Sequence, residues 1–188
     1  GDHRDLHSFP TRRSSDLIMI ISLVGYMGSG KSHISKILSK KLNFKLIDLD
    51  KEIVSRYKMP ITEIFEKKGE LFFRKAEREV LEDVLKTESD LILSLGGGTP
   101  VYYNNMEMIN SQSESVFLRA SVGSLFRRLL RNKSKRVLIA RIKDEDLSEF
   151  IAKHLFERTP YYNQAKYTVD TDNKSVDEVS EEIIHLLR

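Results

Sequence analysis

The chain has 188 residues, of which 40% are hydrophobic and 31% charged, and its formal net charge is +3. This composition predicts a globular protein with a sizeable core and excludes a disordered or fibrous chain. The absence of cysteine excludes a disulfide framework, and no apolar run approaches the ~20 residues of a membrane span. The weak charge does not argue for nucleic acid and suits small anionic ligands. We therefore expect a cytoplasmic protein with neither a nucleic-acid nor a membrane partner.

Residues 1–18 differ from the rest of the chain in having no apolar periodicity and many loop-forming residues. The stretch contains arginines and serines, as a transit peptide does, but it also contains three aspartates. It lacks the apolar centre of a secretion signal. We expect residues 1–18 to be a non-native or disordered extension and residues 19–188 to form a single domain.

A glycine-rich loop follows the first apolar run, at residues 19–24, and precedes apolar residues at helical spacing. Its sequence is Gly25-Tyr26-Met27-Gly28-Ser29-Gly30-Lys31-Ser32, which satisfies the phosphate-binding pattern G-x-x-x-x-G-K-[ST]. Backbone amides of such a loop wrap a phosphate chain at a helix N-terminus. The alternative, a glycine-rich turn with an exposed lysine, does not account for the strand and helix on either side. The predicted ATP-binding residues of the loop are Gly28, Ser29, Gly30, Lys31, Ser32 and His33.

Two carboxylates close the next predicted strand, in the sequence Asp48-Leu49-Asp50. Side chains two apart on a strand share a face, so both would point toward the phosphates. Asp48 is then predicted to lie near Mg²⁺, directly or through water, and Asp50 to face the hydroxyl that accepts the phosphoryl group. The alternative is that Asp50 only caps a helix beginning at Lys51.

Residues 51–87 predict helices with breaks at Pro60 and Gly69. Within them, Arg74 has one glutamate four residues before it and another three residues after it. This spacing fits a surface ion-pair ladder. It fits equally an arginine that carboxylates hold in place to grip an anion. Spacing alone leaves both interpretations open.

Three consecutive glycines, Gly96, Gly97 and Gly98, end a strand that is apolar throughout. Ligands of open α/β sheets bind at this end of the strands. The basic stretch 131–144 is either a solvated face or a lid that carries an arginine to the γ-phosphate, and a helix is predicted for 147–157, bounded by Pro160. Since strands alternate with helices, we predict an α/β fold, a three-layer α/β/α sandwich around a five-stranded parallel sheet. The predicted strands lie near 19–24, 45–49, 91–95, 115–118 and 166–170.

Taken together, these motifs resemble the shikimate kinase family, a member of the nucleoside-monophosphate-kinase-like P-loop group. The resemblance extends from residue 19 to the C-terminus, and it implies a P-loop kinase fold with a mobile lid at about residues 131–144. The pieces that carry it are residues 25–32, Asp48-Leu49-Asp50, Phe65 with Gly69-Glu70, Phe73-Arg74-x-x-Glu77, Gly96-Gly97-Gly98, Arg136 and Glu157-Arg158-x-Pro160-x-Tyr162.

The resemblance implies an enzyme that transfers a phosphoryl group from ATP to the 3-hydroxyl of shikimate, with Mg²⁺ as cofactor. Lys31, Asp50 and Arg136 would be catalytic, and Arg136 would also contact ATP. Ser32 and Asp48 would hold the metal. The implied shikimate-binding residues are Asp50, Arg74, Gly96, Gly97, Gly98 and Arg158.

The chain departs from the family pattern at two places. His33 stands where the family usually has threonine, and Val137 stands where proline follows the lid arginine. The arginine on the adenine side is either Arg128 or Arg131, depending on one gap. Two alternatives explain the phosphate loop but account less well for the two arginines and the Asp-x-Asp sequence: a P-loop kinase of gluconate type and a nucleotide-binding module without catalysis. We expect a monomer, because no long apolar stripe is left over for a partner.

Overall fold

The computed structural model describes residues 18–188. Within this range five parallel strands form one sheet in the order β2-β3-β1-β4-β5. The extension expected at residues 1–18 lies, apart from Ile18, outside the described residues. The strands are β1 (Ile20–Val24), β2 (Lys45–Asp48), β3 (Leu91–Ser94), β4 (Glu114–Arg119) and β5 (Tyr167–Asp170).

Helices alternate with these strands, so the predicted α/β class and its five-stranded parallel sheet are confirmed. A short 3-10 helix, Thr99–Val101, follows β3. None of the helices in residues 18–188 is both long and apolar enough to cross a membrane. The α-helices are α1 (Lys31–Leu42), α2 (Leu49–Tyr57), α3 (Ile61–Leu85), α4 (Asn105–Gln112), α5 (Val122–Arg131), α6 (Asp144–Tyr162) and α7 (Val176–Leu186).

The core lies on both faces of the sheet, because successive side chains of a strand point to opposite sides. In the central strand β1, Ile21 and Leu23 join the apolar residues of α1 and α7 on one face. Ile20 and Val24 join those of α2 to α6 on the other. Both faces of the strand are therefore buried, which explains its continuous apolar sequence and gives three layers.

The passage from β2 to α2 differs from the prediction. The strand ends at Asp48, whose Oδ1 accepts a hydrogen bond of 3.2 Å from the Lys51 amide and so caps α2. Leu49, which is fully buried, is already helical. The prediction that a strand continues to residue 49, with Asp50 as the alternative cap, is wrong. Asp50 lies in the first turn of α2, because the cap forms two residues earlier.

Two other helices test the predicted breaks. The break at Gly69 is confirmed as a kink in α3, where φ is 84° and ψ is 167°. The boundary predicted at Pro160 is wrong, because Pro160 lies inside α6. A proline removes one hydrogen bond from a helix. The end of α6 is nevertheless held by Tyr162, which is fully buried. Its hydroxyl donates a hydrogen bond of 2.6 Å to the Gly97 carbonyl. That contact attaches the end of α6 to the glycine loop after β3.

The kink at Gly69 gives a test of local strain. Its backbone occupies a region that is accessible almost only to glycine, and a side chain there costs on the order of 1–3 kcal/mol. We predict that Gly69→Ala lowers the free energy of unfolding by that amount, as measured by urea denaturation. A Cβ at Gly69 would meet no atom within 4 Å, so the loss reports backbone conformation alone.

Gly123→Ala is the matched control, because Gly123 lies in the first turn of α5 without a positive φ. It is expected to leave the free energy of unfolding unchanged or to raise it by up to about 1 kcal/mol. Equal effects of the two substitutions would contradict the assigned strain at Gly69.

Candidate active site

The loop between β1 and α1 curves tightly around the N-terminus of α1. Gly28 and Gly30 have φ values of 80° and 100°, which glycine adopts at little cost. A Cβ on Gly25 would lie 2.9 Å from both the Leu118 carbonyl oxygen and Ser29 Oγ. No side chain caps α1, so its first amides are available to an anion, where the helix dipole also favours negative charge.

This loop forms one wall of a cavity of about 580 Å³ at the carboxyl edge of the sheet. That volume lies within the range of small-molecule sites. Asp48, Asp50 and the glycines Gly96 and Gly97 also line the cavity. All residues predicted to bind ATP line the cavity: Gly28, Ser29, Gly30, Lys31, Ser32, His33 and Arg136.

The Lys31 side chain folds over the loop. Its Nζ donates hydrogen bonds of 2.6 Å to the Gly25 carbonyl and 3.0 Å to the Tyr26 carbonyl. Loss of hydration lowers the pKa of Lys31 to about 8; Asp50 partly opposes the shift and Arg136 adds to it. At neutral pH the ammonium therefore remains charged and is held beside the position where an anion would lie.

Ser32 and Asp48 line the same cavity and together offer a hydroxyl and a carboxylate. Mg²⁺ prefers oxygen ligands and is usually held by one or two carboxylates together with substrate phosphates and water. Within residues 18–188 no group of three or more histidine, cysteine or acidic residues could hold a metal. The hydroxyl of Ser32 and the carboxylate of Asp48 fit a Mg²⁺ that arrives with nucleotide phosphates.

Asp50 faces the glycine loop that follows β3. A Cβ at Gly96 would lie 3.0 Å from Asp50 Oδ1, so only glycine leaves room for this carboxylate. Burial raises the pKa of Asp50 to about 6; Asp48 and Glu77 add to the shift, and Lys31 opposes it. A carboxyl group with a pKa near neutrality is suited to proton transfer.

Arg74 is held by a buried carboxylate. Its Nη1 donates 3.0 Å to Glu77 Oε1, while Thr99 Oγ1 donates 2.9 Å to Glu77 Oε2. The side chains of Arg74 and Glu77 are 12% and 2% exposed, which excludes a solvent-exposed ladder for this pair. Burial raises the pKa of Glu77, and Arg74 opposes the shift. A Cβ at Gly98 would lie 2.8 Å from Arg74 Nη2, so the guanidinium lies against the glycine loop.

Arg158, on α6, reaches the same loop from another direction. A Cβ at Gly97 would lie 3.1 Å from Arg158 Nη1. The two arginines therefore meet neighbouring glycines, although Arg74, Gly98 and Arg158 are not among the residues that line the 580 Å³ cavity. They lie next to it, and Gly97 belongs to both regions.

Arg136 belongs to the segment between α5 and α6 and lines the cavity. Its carbonyl accepts hydrogen bonds from the amides of Ile139 at 3.1 Å and Ala140 at 2.8 Å, which form a turn. Ile139 is fully buried, whereas Val137 and Leu138 are 72% and 53% exposed. Backbone hydrogen bonds and one buried anchor thus support the turn without a proline at position 137.

The two arginines considered for the adenine side both line the cavity. Arg128 is half-buried and its Nη1 donates 3.1 Å to the Gly28 carbonyl, whereas Arg131 is exposed. Of these two arginines, Arg128 is therefore the one that is hydrogen-bonded to the phosphate loop.

Sequence reasoning missed two tyrosines that contact this region. The Tyr26 hydroxyl lies 2.9 Å from His154 Nδ1, and the ring of Tyr102 lies 4.0 Å from the Arg74 guanidinium carbon. Tyr26 occupies an unspecified position of the loop pattern, and Tyr102 lies beyond the three glycines. The only available signal was the aromatic pair directly after Gly96-Gly97-Gly98-Thr99-Pro100-Val101.

A phosphate loop at the carboxyl edge of a parallel sheet, facing paired carboxylates and an arginine-bearing segment between helices, defines a P-loop kinase. The chain belongs to the shikimate kinase family, whose sequence model matches residues 27–188. The family resemblance seen in the sequence and the P-loop kinase fold are both confirmed.

Similar proteins agree with this membership. The shikimate kinase of Flavobacterium johnsoniae is 46% identical over 168 residues, which cover 89% of this chain and 98% of that protein. A crystal structure of shikimate kinase from Bacteroides thetaiotaomicron has a TM-score of 0.85 at 35% identity and covers 91% of this chain and 99% of its own. The Acinetobacter baumannii enzyme in complex with shikimate has a TM-score of 0.80 at 30% identity, with coverages of 90% and 93%.

The raised pKa of Asp50 predicts a pH-dependent stability. The pKa rises from 3.8 to about 6 on folding, so the folded state binds the proton more tightly. The stabilisation of the folded state by this protonated carboxyl group is fully present below pH ~4 and is lost as the pH rises through ~6. Asp50→Asn cannot ionise. We predict that it is more stable than the wild type above pH ~6, by on the order of 1–3 kcal/mol, and that the difference shrinks toward pH ~4.

Urea denaturation across this pH range measures the difference. Asp146→Asn, which removes an exposed carboxylate from the first turn of α6, is the control and should not reproduce the pH dependence. A difference for Asp50→Asn that stays constant with pH would show that burial does not raise this pKa.

Proposed function

We propose that this chain transfers the γ-phosphoryl group of ATP to the 3-hydroxyl of shikimate, giving ADP and shikimate 3-phosphate. The observation that carries the proposal is that Asp50, Arg158 and Arg74 converge on three consecutive glycines beside a phosphate loop. Family membership supports the choice of substrate, because the similar Acinetobacter baumannii structure contains shikimate.

On the nucleotide side, the amides at the start of α1 and the Lys31 ammonium bind the phosphates. Ser32 and Asp48 would hold Mg²⁺, which when bound neutralises charge on the phosphate oxygens. Arg136 adds a positive charge at the transferring group from the segment above the cavity. We assign the adenine side to Arg128, because it is bonded to the phosphate loop.

On the acceptor side, the guanidinium groups of Arg74 and Arg158 bind the carboxylate of shikimate, since a planar fork matches a carboxylate. The backbone of Gly96, Gly97 and Gly98 lets the substrate approach closely. The acceptor oxygen forms a bond to the γ-phosphorus while the bond to the β–γ bridging oxygen breaks. The hydroxyl proton passes to Asp50, which with a pKa of about 6 is ionised at neutral pH.

The proposal also specifies which residues carry the activity, the oligomeric state and the cellular compartment. We assign the activity to residues 19–188, a choice supported by the family match at 27–188 and by the start of β1 at Ile20. The enzyme is proposed to work as a monomer in the cytoplasm. The absence of cysteine from the sequence agrees with a reducing compartment.

A coupled assay of ADP release tests the function directly. It compares shikimate, gluconate and no acceptor, each with ATP and Mg²⁺, and we expect release above background only with shikimate. Activity only on gluconate would identify another small-molecule kinase. ATP binding without turnover on either acceptor would identify a nucleotide-binding module, and both results would overturn the proposal.

Asp50→Asn tests the role at the acceptor hydroxyl. Removing a general base lowers kcat by roughly 10²- to 10⁴-fold, while the affinity for ATP, measured by calorimetry, should stay nearly unchanged. Asp146→Asn is the control and is expected to keep wild-type turnover. An equal loss of ATP affinity in Asp50→Asn would place this carboxylate on the nucleotide side instead.

Arg158→Ala tests the carboxylate-binding role. Losing a charge-assisted hydrogen bond costs about 1.5–3 kcal/mol, so the KM for shikimate is expected to rise by roughly 10-fold or more. The KM for ATP should change far less in the same steady-state assay. Lys153→Ala, an exposed cation on the same helix, is the matched control. A larger rise in the KM for ATP than in that for shikimate would refute the assignment.

A further inference from the structure

Arg74 has an aromatic support that its role in carboxylate binding does not explain. Its guanidinium carbon lies 4.0 Å from the ring centroid of Tyr102 and 5.1 Å from that of Phe73. A cation at 4.0 Å from a tyrosine ring is well within the range of a favourable cation–π contact. Tyr102 is therefore the closer of the two aromatic contacts of this guanidinium.

Tyr102 is itself held in place from two sides. Its backbone directly follows the 3-10 helix Thr99–Val101, in which the Val101 amide donates 3.0 Å to the Gly98 carbonyl. Its hydroxyl donates 3.0 Å to Glu70 Oε1, on the same helix as Arg74. The ring thus connects the glycine loop with α3 at the position where Arg74 crosses between them.

Glu70 could otherwise compete for Arg74. Its Oε1 lies 3.8 Å from Arg74 Nε, too far for a hydrogen bond. Arg74 Nε is the one buried side-chain nitrogen or oxygen atom in the described part of the chain without a hydrogen-bond partner. An unpaired buried donor is costly, so the guanidinium would gain by turning its Nε–H toward Glu70. The Tyr102 hydroxyl donates to that same oxygen and so ties the Glu70 carboxylate to Tyr102, and the Tyr102 ring covers the guanidinium.

We propose that Tyr102 is a positioning residue that holds the Arg74 guanidinium in the orientation needed to bind the acceptor carboxylate. It does so by stacking its ring on the guanidinium, separately from the hydrogen bond between Arg74 and Glu77; the bond to Glu70 is a secondary anchor of the ring. The inference rests on the proposed function, because it assigns Arg74 to the acceptor. A planar group fixed in advance loses less freedom on binding, so Tyr102 sets the affinity for the acceptor and has little effect on the nucleotide.

The test is steady-state kinetics with Tyr102→Ala and Tyr102→Phe. In Tyr102→Ala the KM for shikimate is expected to rise by about 5- to 20-fold, while kcat and the KM for ATP stay within about twofold of the wild type. Tyr102→Phe keeps the ring and is expected to raise the KM for shikimate by less than about threefold. Tyr103→Ala, at a neighbouring tyrosine that is 46% exposed, is the matched control and should behave as the wild type.

Outcomes that overturn the inference are distinct from those that overturn the function. If the wild type phosphorylates shikimate but Tyr102→Ala leaves its KM unchanged, or raises the KM for ATP equally, Tyr102 does not position Arg74. The same holds if Tyr102→Phe is as impaired as Tyr102→Ala. A wild type inactive on shikimate overturns the proposed function instead. If Tyr102→Ala fails to fold, Tyr102→Leu keeps the apolar bulk without the ring and is expected to show the same rise.

Discussion

The rest of the site depends on one constraint: residues 96, 97 and 98 must be glycines, because there is no room for a side chain at these positions. A Cβ at these three positions would lie within about 3.1 Å of Asp50, Arg158 and Arg74 respectively. The three charged side chains come from three different helices, α2, α6 and α3, so none of them could be brought here by a local motif. The bare backbone at the end of β3 lets them meet around one small volume beside the phosphate loop.

The same crowding explains the electrostatics. Burial moves the pKa of Asp50 up to about 6 and that of Lys31 down to about 8, because each charge loses hydration. Each group limits the shift of the other through its opposite charge. Between these values the carboxylate and the ammonium are both ionised. Neutral pH is thus the range in which the Asp50 carboxylate and the Lys31 ammonium are both charged in the cavity.

Short-range patterns predicted correctly that residues of the phosphate loop line one cavity. The phosphate loop is a backbone structure with fixed spacing, so its residues could be assigned to one cavity without knowing anything distant in the chain. Asp48 and Asp50 were assigned to that cavity for a reason that is wrong in detail. Residues two apart share a face only within a strand, and β2 ends at Asp48. Asp48 caps α2, so Leu49 is already helical. The first turn of this helix, and not the strand, places Asp50 beside the glycines. Pro160 was misjudged similarly, because the burial of Tyr162 outweighs the local preference of proline.

The proposed acceptor side could be predicted only in part, because the residues that support it are distant in sequence. Spacing left Arg74 undecided, since a glutamate lies within helical reach on either side and burial cannot be derived from spacing. The structure distinguishes the two: Glu77 is buried and bonded to Thr99, while Glu70 is bonded to Tyr102, 32 residues away. Both partners lie on the segment that follows the glycines. The loop after β3 therefore makes room for Arg74 at Gly98. The same segment supplies Thr99 and Tyr102, which bond the two glutamates beside Arg74 on α3. The environment of Arg74 thus depends on α3 and on the segment after β3 together.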